Sequence, residues 1–236
     1  MVYYGYRGDY MNPIIGKCIL SSEQKSLILK GINEGIKVHR ECIQLLPETI
    51  TKKYTPFFLS DLVNTYVANE IENNPHTQMK VMKRKAGFHP YIVIHDTIRN
   101  IFILISKLHE NQYILTPSGY RGDFASSNGE RLQEMGMTLE EIYGESPYQY
   151  TLPMGIENQP FCIIVCYDGK SGKIYEGALR PDQEDWIYKI DITDSIINSS
   201  DNLAPLNNYQ TTDILIKLKS HVEDEIVVKL KDNKTS

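Results

Sequence analysis

The chain has 236 residues, of which 41% are hydrophobic and 23% charged, and a net charge of −5 at neutral pH. That length builds a proper core without disulfide or metal staples, and the composition is globular rather than disordered or fibrous. The negative balance excludes a global field drawing the chain to nucleic acid or an anionic membrane, so any such binding must be local.

The opening MVYYGYRGDYMNPIIGKC puts Arg7 and Asp9 where a secretory signal needs an unbroken apolar run. No later stretch is apolar for the length of a bilayer crossing, so a cytoplasmic protein with no membrane partner is expected. In that setting Arg-Gly-Asp is not an adhesion signal. The pentapeptide GYRGD at 5–9 returns at 119–123, each time followed by an aromatic residue. Arginine beside tyrosine offers a planar cation and a stacking surface, while Gly8 and Gly122 let the backbone turn. Tyr6, Arg7, Asp9, Tyr120, Arg121 and Asp123 are therefore the candidate binding residues. They are expected to form one composite patch for a protein partner or a small nucleotide-like anion. The alternative is structural, an arginine–aspartate pair closing a tight turn.

Helical sequence follows. SSEQKSLILKGINEGIKVHRECIQLLP starts with a capping box, Ser21 with Gln24, and sets Ile28, Ile32, Ile36, Ile43 and Leu46 at helical spacing up to Pro47. A second helix is predicted from a Thr55 cap with Pro56 in its first turn, ending at Asn73 or Asn74. The period then becomes two. MKVMKRK leads into HPYIVIHDTIRNIFILISKL, a strand–turn–strand with its turn at Asp96 to Asn100. QPFCIIVCYDGKSGKIYEGALRP repeats the pattern, with Asp168, Gly169, Ser171 and Gly172 in the turn. Between the hairpins, Thr138 and Glu141 mark a short helix by a further capping box. DWIYKIDIT reads as another strand, and DILIKLKSHVEDEIVVKLKD as two more. The two GYRGD copies stand at unequal distances from their hairpins, which excludes a clean tandem repeat.

The hairpin residues Tyr167, Asp168, Gly172, Ile174 and Tyr175, with the helix–helix–hairpin order ahead of them, resemble an uncharacterised domain family of low-GC Gram-positive bacteria and their phages. That resemblance implies a bacterial or mobile-element protein and carries no activity.

The chemistry-bearing residues are few. Cys162 and Cys166 lie in β-branched sequence, where four residues of strand span about 13 Å, too far for one zinc or one disulfide. A Mg²⁺-dependent phosphodiesterase or nuclease would draw on Asp96, Asp168 and Glu176 with Lys173 beside the attacking water, provided the two hairpins bring them together. Lys80, Lys83, Arg84 and Lys85 form a basic run that would suit phosphate contacts. Such runs also protect edge strands, and that explanation fits the net charge better. The expectation is a single α+β domain over 1–236, with helices over about 20–74 and a mainly antiparallel hairpin sheet over about 78–232 that carries a short inserted helix. The expected function is binding or regulation without a cofactor, through a protein or small anionic partner rather than nucleic acid. The Mg²⁺ enzyme is the alternative.

Overall fold

Two helices precede the sheet, and the local rules that start them are visible in the computed structural model, which describes residues 12–45, 55–87, 89–109, 111–143 and 158–195. After one turn, α1 (Pro13–Gly16), comes α2 (Ser22–Leu45). The Gln24 backbone N–H donates to Ser21 Oγ at 3.2 Å and the Ser21 backbone N–H to Gln24 Oε1 at 3.1 Å. This is the reciprocal capping box the sequence announces. Helix α3 (Thr55–Glu72) buries Leu59, Leu62, Val63, Val67 and Ile71.

The two helices cross at glycines. A Cβ on Gly31 would lie 2.5 Å from Val67 Cα, and one on Gly35 2.7 Å from Val63 Cα. Glycine inside a helix costs about 1 kcal/mol relative to alanine, and here backbone-to-backbone approach requires it.

Six strands follow in sheet order β1 (Met79–Ala86), β2 (His89–Asp96), β3 (Ile101–Lys107), β4 (Phe161–Tyr167), β5 (Ile174–Leu179) and β6 (Trp186–Asp191). Every neighbouring pair is antiparallel except β3 and β4, which run parallel. A parallel pair needs a long crossover, and the segment between them carries α4 (Gly119–Glu134) and α5 (Leu139–Tyr143). The fold is thus the expected α+β arrangement of N-terminal helices and a mainly antiparallel sheet. The sequence MKVMKRK is itself strand, and its chain reverses at Gly87, whose φ of +61° suits glycine.

Alternation along the strands separates two apolar clusters. Ile94, Ile103, Ile163, Val165 and Tyr167 face α2 and α3, while Leu104, Ile164, Cys166 and Leu179 pack with Ala125 of α4. Strand β4, covered on both faces, is buried throughout. All four cysteines are buried and unbridged. Burial pushes the Cys162 and Cys166 thiols up to about 12, which makes them inert core residues.

Helix α4 is pinned to the sheet through Asn128, which is 1% exposed. Its amide donates to Cys162 O at 3.0 Å and Leu179 O at 3.2 Å, and its carbonyl accepts from Cys162 N at 2.6 Å. The paired residues of β4 and β5 extend only to Ile164 and Gly177. The side chain therefore stands in for ladder bonds where the strands separate.

A second buried polar network ties the start of α2 to the β2–β3 turn. Asp96 accepts from the backbone N–H groups of Ile98 and Arg99 at 3.0 and 3.2 Å, from Gln24 Nε2 at 2.9 Å and from Arg99 Nε at 2.8 Å. Burial opposes its ionisation, but the hydrogen bonds from Gln24 and Arg99 and the guanidinium charge outweigh it and lower the pKa. A lowered native pKa stabilises the fold above the unfolded value, near 3.8, and that contribution disappears as pH falls through the lower native value. Urea denaturation is therefore expected to show stability falling below about pH 4, with a shallower pH slope for Asp96→Asn. An unchanged slope in the variant would contradict this role.

The first GYRGD, with Tyr6, Arg7 and Asp9, and the two strands expected after residue 210 lie outside the described residues.

Candidate functional site

Strands β2 and β3 pair from Asp96–Ile101 to Val93–Leu104 and no further, although both continue. Pro90 has no N–H to donate, so it weakens the ladder at this end. Beyond Val93 the first hairpin stays paired within itself, Lys85 with Pro90 and Arg84 with Tyr91, while Ile105 to Lys107 stay with β4. The gap between the diverging strands opens beneath the first two turns of α3.

There Phe57, Ser60, Asp61 and Asn64 of α3 face Pro90 and Tyr91 of β2, Ile105 to Lys107 of β3, Tyr167 of β4 and Tyr120 of α4 across a cleft of about 630 Å³. Positions 57, 60, 61 and 64 share one helical stripe, beside the stripe of Leu59, Val63 and Val67 that enters the core. The walls are aromatic. The Tyr91 and Tyr120 rings lie 5.2 Å apart and tilted, and Phe57 is 57% exposed, unusual for its size. Tyr167 OH approaches Ser60 Oγ at 3.4 Å, and burial raises its pKa, with the Asp61 charge adding to the effect.

Lys107 makes no ion pair among the described residues, and the Asp61 carboxylate has neither a hydrogen bond nor an ion pair among them. Desolvation by the cleft raises the Asp61 pKa. The cleft volume falls in the range of small-molecule sites, as does its mixture of apolar walls and a few polar groups.

Of the residues singled out from the sequence, Tyr120 lines this cleft. Its GYRGD copy is not a loop before a helix but the first turn of α4, which starts at Gly119 after an extended Ser118. Arg121 is spent locally: its guanidinium lies 5.1 Å from the Tyr120 ring centre, donates to Tyr120 OH at 2.7 Å and also donates to Thr116 O. Asp123 is exposed.

The carboxylates of the enzyme alternative are not brought together. Asp96 sits beside Ile101 at one end of β3, and Asp168 follows Tyr167, the partner of Lys107 at the other end. Six strand steps at about 3.3 Å separate those ends by roughly 20 Å, too far for one or two Mg²⁺ ions. The parallel β3–β4 pairing, which hairpin signals do not encode, is the cause. Asp168 caps its own turn, accepting from Lys170 N, Ser171 N and Ser171 Oγ at 3.2, 3.0 and 2.6 Å. Lys173 is exposed beside it. Glu176 points into the core, where it accepts from Leu20 N at 2.8 Å and Tyr188 OH at 3.1 Å and lies 3.3 Å from Lys25 Nζ. Among the described residues no group of three or more histidine, cysteine, aspartate or glutamate side chains is placed to hold a metal.

Lys80, Lys83, Arg84 and Lys85 are exposed on β1, which among the described residues pairs only with β2 and forms an edge of their sheet. That position suits lysines that discourage further strand pairing. Sequence reasoning missed Tyr91, Lys107 and the α3 stripe. The proline inside HPYIVIHD and the 57, 60, 61, 64 spacing were the available signals. No helix among the described residues is long and apolar enough to cross a membrane. Comparison with protein-family models, curated proteins and solved structures finds no match for the chain.

Proposed function

We propose that this chain is a binding or regulatory protein that acts without catalysis, taking a small nucleotide-like anion in the cleft between α3 and the parted ends of β2 and β3. The resemblance of its second hairpin supports an origin in a Gram-positive bacterium or a phage of one. The observation that carries the reading is a cleft of about 630 Å³ walled by Phe57, Tyr91, Tyr120 and Tyr167, with Lys107 as a cation among the lining residues. Aromatic walls stack a flat ring at about 1–3 kcal/mol per base, and an ammonium in a partly apolar setting favours a phosphate or carboxylate. Arg121, held on Tyr120 and Thr116, supports the wall rather than the ligand.

Thermal denaturation with inorganic phosphate, neutral nucleosides and nucleoside monophosphates tests it. A nucleotide at about 100 times its Kd adds about 2.7 kcal/mol, a rise of roughly 5–10 °C for a chain of this size. Nucleotides are expected to raise the Tm more than either phosphate or nucleoside alone, and Lys107→Ala and Tyr91→Ala to remove the rise. The proposal is wrong if no nucleotide shifts the Tm at millimolar concentration, or if both variants respond as the parent chain does.

A further inference from the structure

The carboxylate of Asp61 is the least explained group in the cleft. It lies on the lining stripe of α3, three residues before Asn64, and has no hydrogen-bond or ion-pair partner among the described residues. A carboxylate is acceptor only, with two oxygens that match two parallel N–H donors. Its neighbour Asn64 offers an amide N–H one turn further on. The cation of the cleft, Lys107, is carried by a different element, at the end of β3. The cleft therefore presents an acceptor pair and a donor on one wall and an ammonium on another, with aromatic rings around them. A ligand that satisfies all of these is flat, carries two adjacent N–H donors and an acceptor on one edge, and ends in an anion.

Among the common nucleobases one edge has that order. Guanine sets N1–H and the 2-amino group side by side with O6 next to them. Adenine and cytosine alternate a donor with an acceptor, and uracil places one N–H between two carbonyls. We infer that the cleft selects guanine nucleotides, with Asp61 accepting from N1–H and the 2-amino group, Asn64 donating to O6, and Lys107 meeting the phosphate. This rests on the anionic-ligand reading above and assigns its base.

Calorimetric titration of the full-length chain with GMP, IMP, XMP and AMP reads the assignment directly. IMP lacks only the 2-amino group, and a lost hydrogen bond to a charged acceptor corresponds to about a 10- to 100-fold weaker Kd. GMP is expected to bind more tightly than IMP by that factor and more tightly than AMP by at least as much. In Asp61→Asn the carboxylate becomes an amide that suits the C2 carbonyl of XMP, so the GMP advantage over XMP should collapse or reverse. Asp61 is exposed, and an unchanged Tm would confirm that the variant folds. Equal affinities for GMP, IMP and AMP, all abolished by Lys107→Ala, would overturn the base assignment and leave the anionic-ligand site standing. A guanine preference that survives in Asp61→Asn would also overturn it. Absence of binding by every nucleotide would remove both readings.

Discussion

Asn128→Leu is expected to lower the stability of the chain by at least about 3 kcal/mol, because three buried backbone groups lose their partner at about 1–3 kcal/mol each. The amide of Asn128 bonds both the N–H and the carbonyl of Cys162 and the carbonyl of Leu179 where β4 and β5 have ceased to pair directly. A leucine fills similar volume and satisfies none of them. Asn128→Asp should do no better, since a carboxylate would face the Cys162 and Leu179 carbonyls and carry a charge into a site only 1% exposed. The informative readout is residue-specific: hydrogen exchange at the Cys162 amide should accelerate well beyond that of its β4 neighbours. Ser126→Ala, two residues earlier and exposed on the same helix, provides the comparison and should change stability by less than about 0.5 kcal/mol. If Asn128→Leu proves as stable as the parent, water must replace the amide, and the pin between α4 and the sheet is not what holds them.

The second large effect concerns the helix crossing. A double variant, Gly31→Ala with Gly35→Ala, should gain helix propensity of about 1 kcal/mol per site and still lose stability overall. Each new Cβ would stand 2.5 to 2.7 Å from the Val67 or Val63 Cα, and a backbone cannot swing aside as a flexible side chain can. One helix must shift bodily, and overpacking of this kind costs about 1–3 kcal/mol per site, occasionally more. A net loss of about 3 kcal/mol corresponds to a Tm decrease of roughly 6–12 °C at this chain length. Because α3 also carries Phe57, Asp61 and Asn64, the same displacement should weaken nucleotide binding. Gly119→Ala separates packing from propensity, since a Cβ there meets nothing within 4 Å and its Tm should hold or rise. A double variant as stable as the parent would mean that the helices already have room to part.

Both predictions turn on contacts between distant parts of the chain, and that is where sequence reading stopped. The capping boxes Ser21–Gln24 and Thr138–Glu141, the helices they open and the aspartate-led turns at Asp96 and Asp168 were legible, because each depends on partners within about four residues. Period and turn chemistry likewise sufficed for the α+β class and for strands β2 to β6. Only the tertiary structure decided that the two hairpins meet through a parallel β3–β4 pair, which sends Asp96 and Asp168 to opposite ends of the sheet. It turned Glu176 inward onto Leu20 and Tyr188, and made the second GYRGD the first turn of a helix. The cleft is the clearest case: its lining comes from six elements, α3, β1, β2, β3, β4 and α4, joined where a ladder stops. Local spacing cannot encode such a meeting, because strand order and helix placement follow from burying apolar faces over the whole chain at once.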